Sequence, residues 1–333
     1  PAEHVPRPAL VGEPAGLPLT DTSRGEDFAE VGVAELPGGR VLHPHHAVVT
    51  GRGDLVQDVS WYFGTTRPRE HPLYLDPFPP PPLEVDGRLG VLAARGDANY
   101  YHYLLDVVVR LGVLEQTEVA PPDRWYAATS GPRFQRELLE LAGVRVDHVV
   151  DAAAHPHVRA STLVVPSVPA MREVDPPWAV DWLRDRLLPR VDTSGPRQRL
   201  YVTRRESAHA RTVINEREVV ALLAGRGFVT VDPGELSVAD QVRAFATAEV
   251  VVGAHGAALA NLVFLPPGAA VVELFPRGCL LADFARLVSG LPDVRHRYLS
   301  SPGPTPRRGR AAALVRDIEV DVAALSRLLD ELT

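Results

Sequence analysis

The segment from Val250 to Pro276 constrains the fold of this chain more than any other part of the sequence. It reads VVVGAHGAALANLVFLPPGAAVVELFP: an apolar strand, a glycine-bearing turn that holds His255, a short run of small residues, and a second apolar strand with an acid at Glu273. This order is typical of α/β sheets, in which a helix begins at the carboxyl end of a strand and its free N–H groups bind phosphate. The segment therefore predicts a phosphate site.

The common phosphate-binding motifs are excluded by the turn itself. Residues 253–257 read GAHGA, which fits neither the dinucleotide-binding glycine pattern nor the P-loop pattern. The 35 basic residues are all arginine, and the absence of lysine excludes Schiff-base, pyridoxal-phosphate and P-loop lysine chemistry.

Composition limits the class of protein. A length of 333 residues, with 45% hydrophobic and 23% charged residues, predicts two globular domains of ordinary size. The net charge of -7 argues against a non-specific nucleic-acid binder. The single cysteine, Cys279, excludes an intrachain disulfide and favours a reducing compartment. No membrane span or export signal is apparent, so the sequence predicts a cytoplasmic protein, with peripheral attachment to the inner membrane face and homo-oligomerisation left open.

The chain is expected to divide into four parts. Residues 1–24 are predicted to be an irregular lead-in, 25–192 an α/β domain, 196–300 a Rossmann-like domain, and 301–333 a loop followed by a packing helix. The Rossmann-like domain is predicted because apolar strands alternate with single helices in residues 196–300. This alternation implies right-handed crossovers and a parallel sheet. Asn215 and Ser237 are the predicted N-caps of two of these helices.

A helix is predicted over residues 99–111, where a long apolar run lacks strict alternation. His102 and Asp106 lie four residues apart on it and therefore share one face. A histidine and a carboxylate on one face are candidates for acid–base chemistry.

The chain resembles glycosyltransferase family 61. The resemblance is carried by residues 99–106 (NYYHYLLD), 201–206 (YVTRRE), Arg211, 214–216 (INE) and 253–257 (GAHGA), continuing through Asn261, Phe264, Pro266 and Glu273. These anchor points extend from about residue 96 to residue 276. Two departures, Ala258 for a frequent glycine and Tyr103 for a common tryptophan, put the identity of the acceptor in doubt more than the chemistry.

The resemblance implies an α/β protein of the GT-B type, with two facing Rossmann-like domains and a central cleft. It also implies an inverting transfer that needs no metal, a nucleotide-sugar donor held by the C-terminal half, and a glycan or small-molecule hydroxyl as acceptor. A bacterial enzyme of the capsular-polysaccharide type is expected, using a UDP- or GDP-linked donor and no further cofactor.

Inverting transfer requires a base that takes the proton of the acceptor hydroxyl and a group that stabilises the departing diphosphate. Asp106 is the candidate base, and His102 orients it, contacts the sugar or acts as the base instead. The alternative is that Asp106 only caps or pairs within its helix.

Arg204, just past a strand end, is the first candidate for the diphosphate, together with the N–H groups around Gly256 and Ala257. His255 is expected to bond a phosphate oxygen or the sugar, unless it is a buried structural histidine, and Glu273 is expected to accept both ribose hydroxyls. The complete predicted donor site comprises Arg204, Arg205, Arg211, Asn215, Gly253, His255, Gly256, Ala257 and Glu273. For the arginines, surface salt bridges are the alternative.

No metal site is predicted. The three histidines at residues 43–46 (HPHH) are potential metal ligands, but Pro44 and the strand-like context are expected to direct the imidazoles to different faces. No carboxylate is close to them in sequence.

Two other functions stay open: a non-catalytic scaffold or sensor that binds nucleotide sugars, and a hydrolase that uses His102 and Asp106.

Overall fold

The computed structural model describes residues 3–6, 8–17, 25–28, 30–60, 62, 67–75, 79–169, 175–204, 211–303 and 315–332. Its strands are β1 (Glu3–Pro6), β2 (Gly12–Glu13), β3 (Gly25–Phe28), β4 (Val33–Pro37), β5 (Arg40–Leu42), β6 (Ala47–Val49), β7 (Leu83–Val91), β8 (Arg124–Ala127), β9 (Val149–Asp151), β10 (His157–Pro166), β11 (Gln198–Val202), β12 (Phe228–Val231), β13 (Ala248–Ala254), β14 (Ala270–Phe275) and β15 (Arg295–Ser300).

The α-helices are α1 (Tyr100–His102), α2 (Arg110–Glu115), α3 (Phe134–Leu141), α4 (Pro177–Leu187), α5 (Glu216–Ala224), α6 (Val238–Ala246), α7 (Asp283–Ser289) and α8 (Val322–Leu332). A π-helical segment (Tyr103–Val108) lies between α1 and α2, and a 3-10 helix (Ala257–Phe264) follows β13. Shorter 3-10 turns occur at Gln57–Val59, Pro68–Glu70, Pro72–Leu75, Val146–His148 and Leu188–Arg190.

The chain divides into two compact units. The first contains Pro1–Glu3 and Phe28–Trp182, and the second contains His4–Asp27 and Leu183–Thr333. The alternation of strands and helices in both confirms the prediction of an α/β protein.

The first unit contains a mixed seven-stranded sheet with the order β6-β5-β10-β7-β8-β9, and β4 also pairs with β10. The pairs β10–β7, β7–β8 and β8–β9 are parallel, whereas β4 and β5 pair antiparallel with different parts of β10. The predicted helix over 99–111 is present as α1, the π-helical segment and the start of α2, and its apolar run is buried. A π-helical turn inside a helix is frequent at functional sites.

The second unit contains a parallel six-stranded sheet with the order β12-β11-β13-β14-β15-β2. If β11 to β15 are counted as strands 1 to 5, their order in the sheet is 2-1-3-4-5, which is a doubly wound order. The direction in which successive strands are added reverses between β11 and β13. Ligands of such sheets bind beyond the carboxyl ends of the strands at that switch point. The apolar strands are buried on both faces, and the leucines of α8 pack into the core on one of them, as the sequence predicts.

The segment 1–24, predicted to be irregular, contributes β1 and β2 to the structure. Gly12 and Glu13 of β2 pair with Tyr298 and Leu299 at the edge of the parallel sheet. A Cβ atom on Gly12 would lie 2.0 Å from the carbonyl oxygen of Tyr298, so the close approach requires glycine. A two-residue strand has no alternation from which a sequence pattern can predict it.

One of the two predicted helix caps is confirmed. Ser237 Oγ accepts a hydrogen bond from the amide of Asp240 at 3.1 Å at the start of α6. Asn215 occupies the predicted N-cap position of α5, but its side chain makes no capping bond to the helix. Instead its amide donates to the carbonyl of Val320 at 2.9 Å and its carbonyl accepts from the amide of Val320 at 3.0 Å.

Candidate active site

The first unit holds the pair His102 and Asp106. The helix begins at Asn99, whose Oδ1 accepts from the amide of Tyr101 at 2.9 Å and satisfies one of the free N–H groups of the first turn. His102 ends α1, and Asp106 lies in the π-helical segment that follows. His102 Nδ1 and Asp106 Oδ2 are 2.9 Å apart, so the predicted pairing on one face is present.

Asp106 is the more buried partner of this pair. Its side chain is 2% exposed, against 12% for His102. Because a carboxylate accepts the Nδ1 proton, the neutral imidazole carries its lone pair on Nε2. The geometry is compatible with the alternative in which His102 acts as the base, and it adds a carboxylate that orients the imidazole, as in a histidine–carboxylate dyad.

Arg110 is fully buried one turn after Asp106. Its guanidinium donates to the carbonyl of Ala93 at 2.8 Å and, through Nε, to that of Pro166 at 3.0 Å. Burial lowers the pKa of Arg110 to about 10, although the charge of Asp106 opposes this shift. Arg110 thus ties the helix to two backbone carbonyls and places a positive charge near Asp106.

Gly96 packs against the ring of His102. Its φ is +73°, which disfavours other residues, and a Cβ atom would lie 2.8 Å from His102 Cδ2. Gly96 therefore supports the position of the imidazole, a role that no pattern in the sequence indicates.

In the second unit, Arg204 and the His255 turn meet at the switch point of the sheet. Arg204 follows β11, and the turn follows β13, which lies beside β11 and runs parallel to it. Arg204 Nη1 donates to the carbonyl oxygen of His255 at 2.8 Å. Two parts of the predicted donor site, 51 residues apart in sequence, are thus brought together.

Gly256 is required by the approach of this guanidinium. A Cβ atom on Gly256 would lie only 1.6 Å from Arg204 Nη1. The φ of Gly256 is 164°, which is extended backbone, so the glycine provides space for Arg204. Ala257 then begins a 3-10 helix, whose first N–H groups make no bonds within the helix.

Two guanidinium groups lie near each other in this region. Burial, followed by the charge of Arg211, lowers the pKa of Arg204 to about 10. Burial also lowers the pKa of Arg211, while Cys279 and Glu273 raise it. Arg211 has a φ of +82°, an uncommon conformation for a residue other than glycine. An anion between the arginines would offset their repulsion, so this part of the unit is suited to a phosphate.

His255 is held by a buried network. Its Nδ1 lies 2.5 Å from Glu273 Oε1, and His296 Nε2 lies 2.8 Å from Glu273 Oε2. The ring of His255 stacks on Phe275 with centroids 5.1 Å apart and contacts Phe284 at 5.2 Å. The ring is therefore fixed by a carboxylate and two aromatic side chains.

Glu273 is fully buried. Burial raises its pKa, but the hydrogen bonds from His255 and His296 lower it more, so the pKa lies below its usual value. The carboxylate is therefore ionised at neutral pH and is balanced by the two histidine donors.

Several residues of the predicted donor site make contacts other than the expected ones. Glu273 lies within β14, and both of its oxygens are paired with histidines, so the expected ribose contact stays a prediction that this geometry does not favour. Asn215 binds the backbone of Val320 through both atoms of its amide. Gly253 lies inside β13, where a Cβ atom would be 3.1 Å from side-chain atoms of Val202 and Leu259, so its small size serves packing. Arg205 lies outside the described residues.

A sequence model of the family described as "Glycosyltransferase 61" matches residues 100–272, which is 173 of the 333 residues. The chain belongs to this family. The match includes the His102–Asp106 pair, Arg204 and the His255 turn, and it confirms the prediction of a glycosyltransferase at the level of the family.

The relatives are animal proteins. The chain is 35% identical over 105 residues to the protein O-linked-mannose beta-1,4-N-acetylglucosaminyltransferase 2 of Tetraodon nigroviridis, covering 30% of this chain and 18% of that protein. The protein of the same name from Homo sapiens is 44% identical over 69 residues, covering 20% of this chain and 12% of its own length. The chain thus matches less than a fifth of the length of these relatives. They give no support to the bacterial capsular subtype, which stays a prediction.

His296 is another member of the candidate site that the sequence does not predict. It lies on β15, 23 residues from Glu273, and only the neighbouring position of β14 and β15 in the sheet joins the two side chains.

In the described part of the chain, no helix is long and apolar enough to cross a membrane.

The structure also corrects the expectation for the histidines at 43–46. These residues form the turn between β5 and β6, and His43 and His46 both lie beside Asp97 rather than facing apart. Among the described residues, these three form a group with the composition of a metal site. The carboxylate was missed because it is about 50 residues away in sequence, in the loop after β7.

Proposed function

We propose that this chain is an inverting glycosyltransferase that moves a sugar from a nucleoside diphosphate to a hydroxyl of a glycan or small-molecule acceptor, with no metal in the transfer step. The observation that carries the proposal is the meeting of Arg204, Arg211 and the His255 turn at the switch point of a parallel sheet. Membership of glycosyltransferase family 61 supports the same reaction class.

The second unit supplies the donor site in this proposal. As the bond between the anomeric carbon and the diphosphate oxygen breaks, negative charge accumulates on the diphosphate. Arg204, oriented by its bond to the carbonyl of His255, and Arg211 would neutralise that charge, and the first N–H groups of the 3-10 helix would add further donors.

The first unit supplies the base. His102 Nε2 takes the proton of the acceptor hydroxyl as its oxygen attacks the anomeric carbon from the face opposite the diphosphate. Asp106 stabilises the imidazolium that forms, and the electron pair of the broken bond leaves with the diphosphate. Direct proton removal by Asp106 is the alternative assignment. The facing GT-B arrangement of the two units stays a prediction of the family resemblance.

The buried network around Glu273 positions His255. Because the imidazole is fixed by Glu273, Phe275 and Phe284, its backbone carbonyl is a fixed acceptor for Arg204. In this proposal Glu273 acts through His255 and is a positioning residue.

The first donor to test is UDP-N-acetylglucosamine, because the relatives are named as N-acetylglucosaminyltransferases that act on O-linked mannose. GDP-linked sugars are the second donor class. The matching acceptor is a mannoside, and bacterial polysaccharide fragments test the capsular assignment.

The experiment combines donor, acceptor and the full chain with no metal ion added, with products followed by mass spectrometry and the new linkage assigned by NMR. The proposal expects an acceptor extended by one sugar whose anomeric configuration is opposite to that of the donor. Retained configuration, or nucleotide binding without a product across the donor and acceptor panel, contradicts it, and the second result favours a scaffold or sensor. Free sugar as the main product, independent of acceptor, indicates a hydrolase.

A further inference from the structure

The turn between β5 and β6 and the loop after β7 place three potential metal ligands together. His43 and His46 stand at the two ends of the turn, and Asp97 lies in the loop. One ligand atom from each residue lies within 4.8 Å of the others. His46 has a φ of +49°, in the left-handed region that few residues other than glycine adopt.

His46 and Asp97 are buried and His43 is half-buried, and several of their polar atoms lack a hydrogen-bond partner. His46 is 5% exposed and Asp97 is 9% exposed. The Nδ1 atoms of His43 and His46 and the Oδ2 atom of Asp97 are buried without a hydrogen-bond partner. Buried polar atoms are normally bonded, so several such atoms in one cluster indicate a missing partner.

The spacing of the ligand atoms suits a metal ion better than a direct hydrogen bond. His46 Nε2 and Asp97 Oδ2 are 3.4 Å apart, which is long for a charge-assisted hydrogen bond. Two ligands on a tetrahedral ion with bonds of about 2.1 Å are separated by about 3.4 Å. A cation between them would bind both atoms and give Asp97 Oδ2 the partner that it lacks.

Asp97 is a buried carboxylate, and a divalent ion would offset the cost of placing its charge away from water.

We propose that His43, His46 and Asp97 bind a divalent transition-metal ion, with Zn²⁺ the best match to two imidazoles and one carboxylate. The ion connects the β5–β6 turn to the loop that precedes α1. Asp97 follows Gly96, which packs on the ring of His102, so the ion stabilises the support of that histidine. This role is structural and lies outside the proposed transfer step, which uses no metal.

The test uses the full chain after treatment with a chelator and dialysis. Zn²⁺ binding is measured by calorimetry, bound metal by elemental analysis, and the melting temperature with and without Zn²⁺. We expect one equivalent of bound Zn²⁺ and a higher melting temperature. Asp97→Asn and His46→Gln should each weaken binding by about 100-fold or more and abolish the thermal shift, since each removes one of three ligands.

His148→Gln is the matched control, because this histidine belongs to the same unit and its side chain is 46% exposed. It should bind Zn²⁺ as the unmodified chain does. His43→Gln provides a second ligand variant at a less buried position if either buried variant fails to fold. A chain that binds no Zn²⁺, or binds it equally well after His43→Gln, overturns the proposal and leaves a buried His46–Asp97 ion pair. Zn²⁺ binding without sugar transfer supports the site while contradicting the proposed function.

Discussion

Each unit contains a histidine whose Nδ1 atom is held by a buried carboxylate, but the two pairs are built differently. His102 and Asp106 lie four residues apart on one helix and are separated by 2.9 Å. His255 lies in the turn after β13 and Glu273 lies on the neighbouring strand β14, with 2.5 Å between His255 Nδ1 and Glu273 Oε1, and His296 pairs with the second oxygen of Glu273.

The difference in construction indicates that the two histidine–carboxylate pairs have different roles. Asp106 pairs with one histidine, whose imidazole is the more exposed partner, and such a pair can take up and release a proton. Glu273 is paired with two histidines and is fully buried, so protonation of this network would break its bonds. The first pair is therefore suited to proton transfer and the second to holding the proposed donor site in place.

The largest expected effect is on the first pair. Asp106→Asn should lower kcat by about 10²–10⁴-fold, because the amide neither stabilises the imidazolium nor fixes the Nδ1 tautomer. Nucleotide affinity should stay unchanged. Steady-state kinetics and calorimetry with UDP measure the two quantities, and a variant that loses nucleotide affinity while retaining kcat would remove the distinction between the pairs.

A smaller effect is expected at the switch point. Gly256→Ala should displace the Arg204 guanidinium and weaken nucleotide binding about tenfold, which corresponds to roughly 1.4 kcal/mol, within the range of one charge-assisted hydrogen bond. Calorimetry measures the affinity. Gly290→Ala is the control, since a Cβ atom there meets nothing within 4 Å. Equal affinity in both variants would show that the position of Arg204 does not matter for the nucleotide.

The smallest effect concerns stability and pH. Because the pKa of Glu273 is lowered in the folded chain, its contribution to the free energy of unfolding is present above the usual glutamate pKa of 4.5 and is lost as the pH falls below it. Glu273→Gln should reduce this acid dependence, measured by urea unfolding at a series of pH values. The exposed Glu331→Gln should leave it unchanged. An identical pH dependence in all three chains would contradict the account of the buried network.

The sequence predicts those parts of the site that depend on local pattern. The pair at His102 and Asp106 follows from helical spacing, and the strand, turn and second strand from Val250 to Phe275 follow from apolar runs and glycines. The π-helical segment was not predicted, because an apolar run without alternation does not distinguish a π-helix from an α-helix.

The remaining parts depend on contacts between distant residues. Asn215 has the spacing of a helix cap, yet it binds Val320, 105 residues away. His296 reaches Glu273 through strand order, and Asp97 reaches His46 through a loop. Such pairs are set by the topology of the sheets, which a single sequence does not give.

The most direct test of the central claim compares nucleotide binding and sugar transfer in His102→Gln and Arg204→Ala. The account predicts that His102→Gln binds UDP as the unmodified chain does but transfers sugar at least about 100-fold more slowly. It predicts that Arg204→Ala binds UDP about 10–100-fold more weakly, as expected for the loss of a charge-assisted contact. Normal transfer by His102→Gln together with normal UDP affinity in Arg204→Ala would contradict the assignment of both residues.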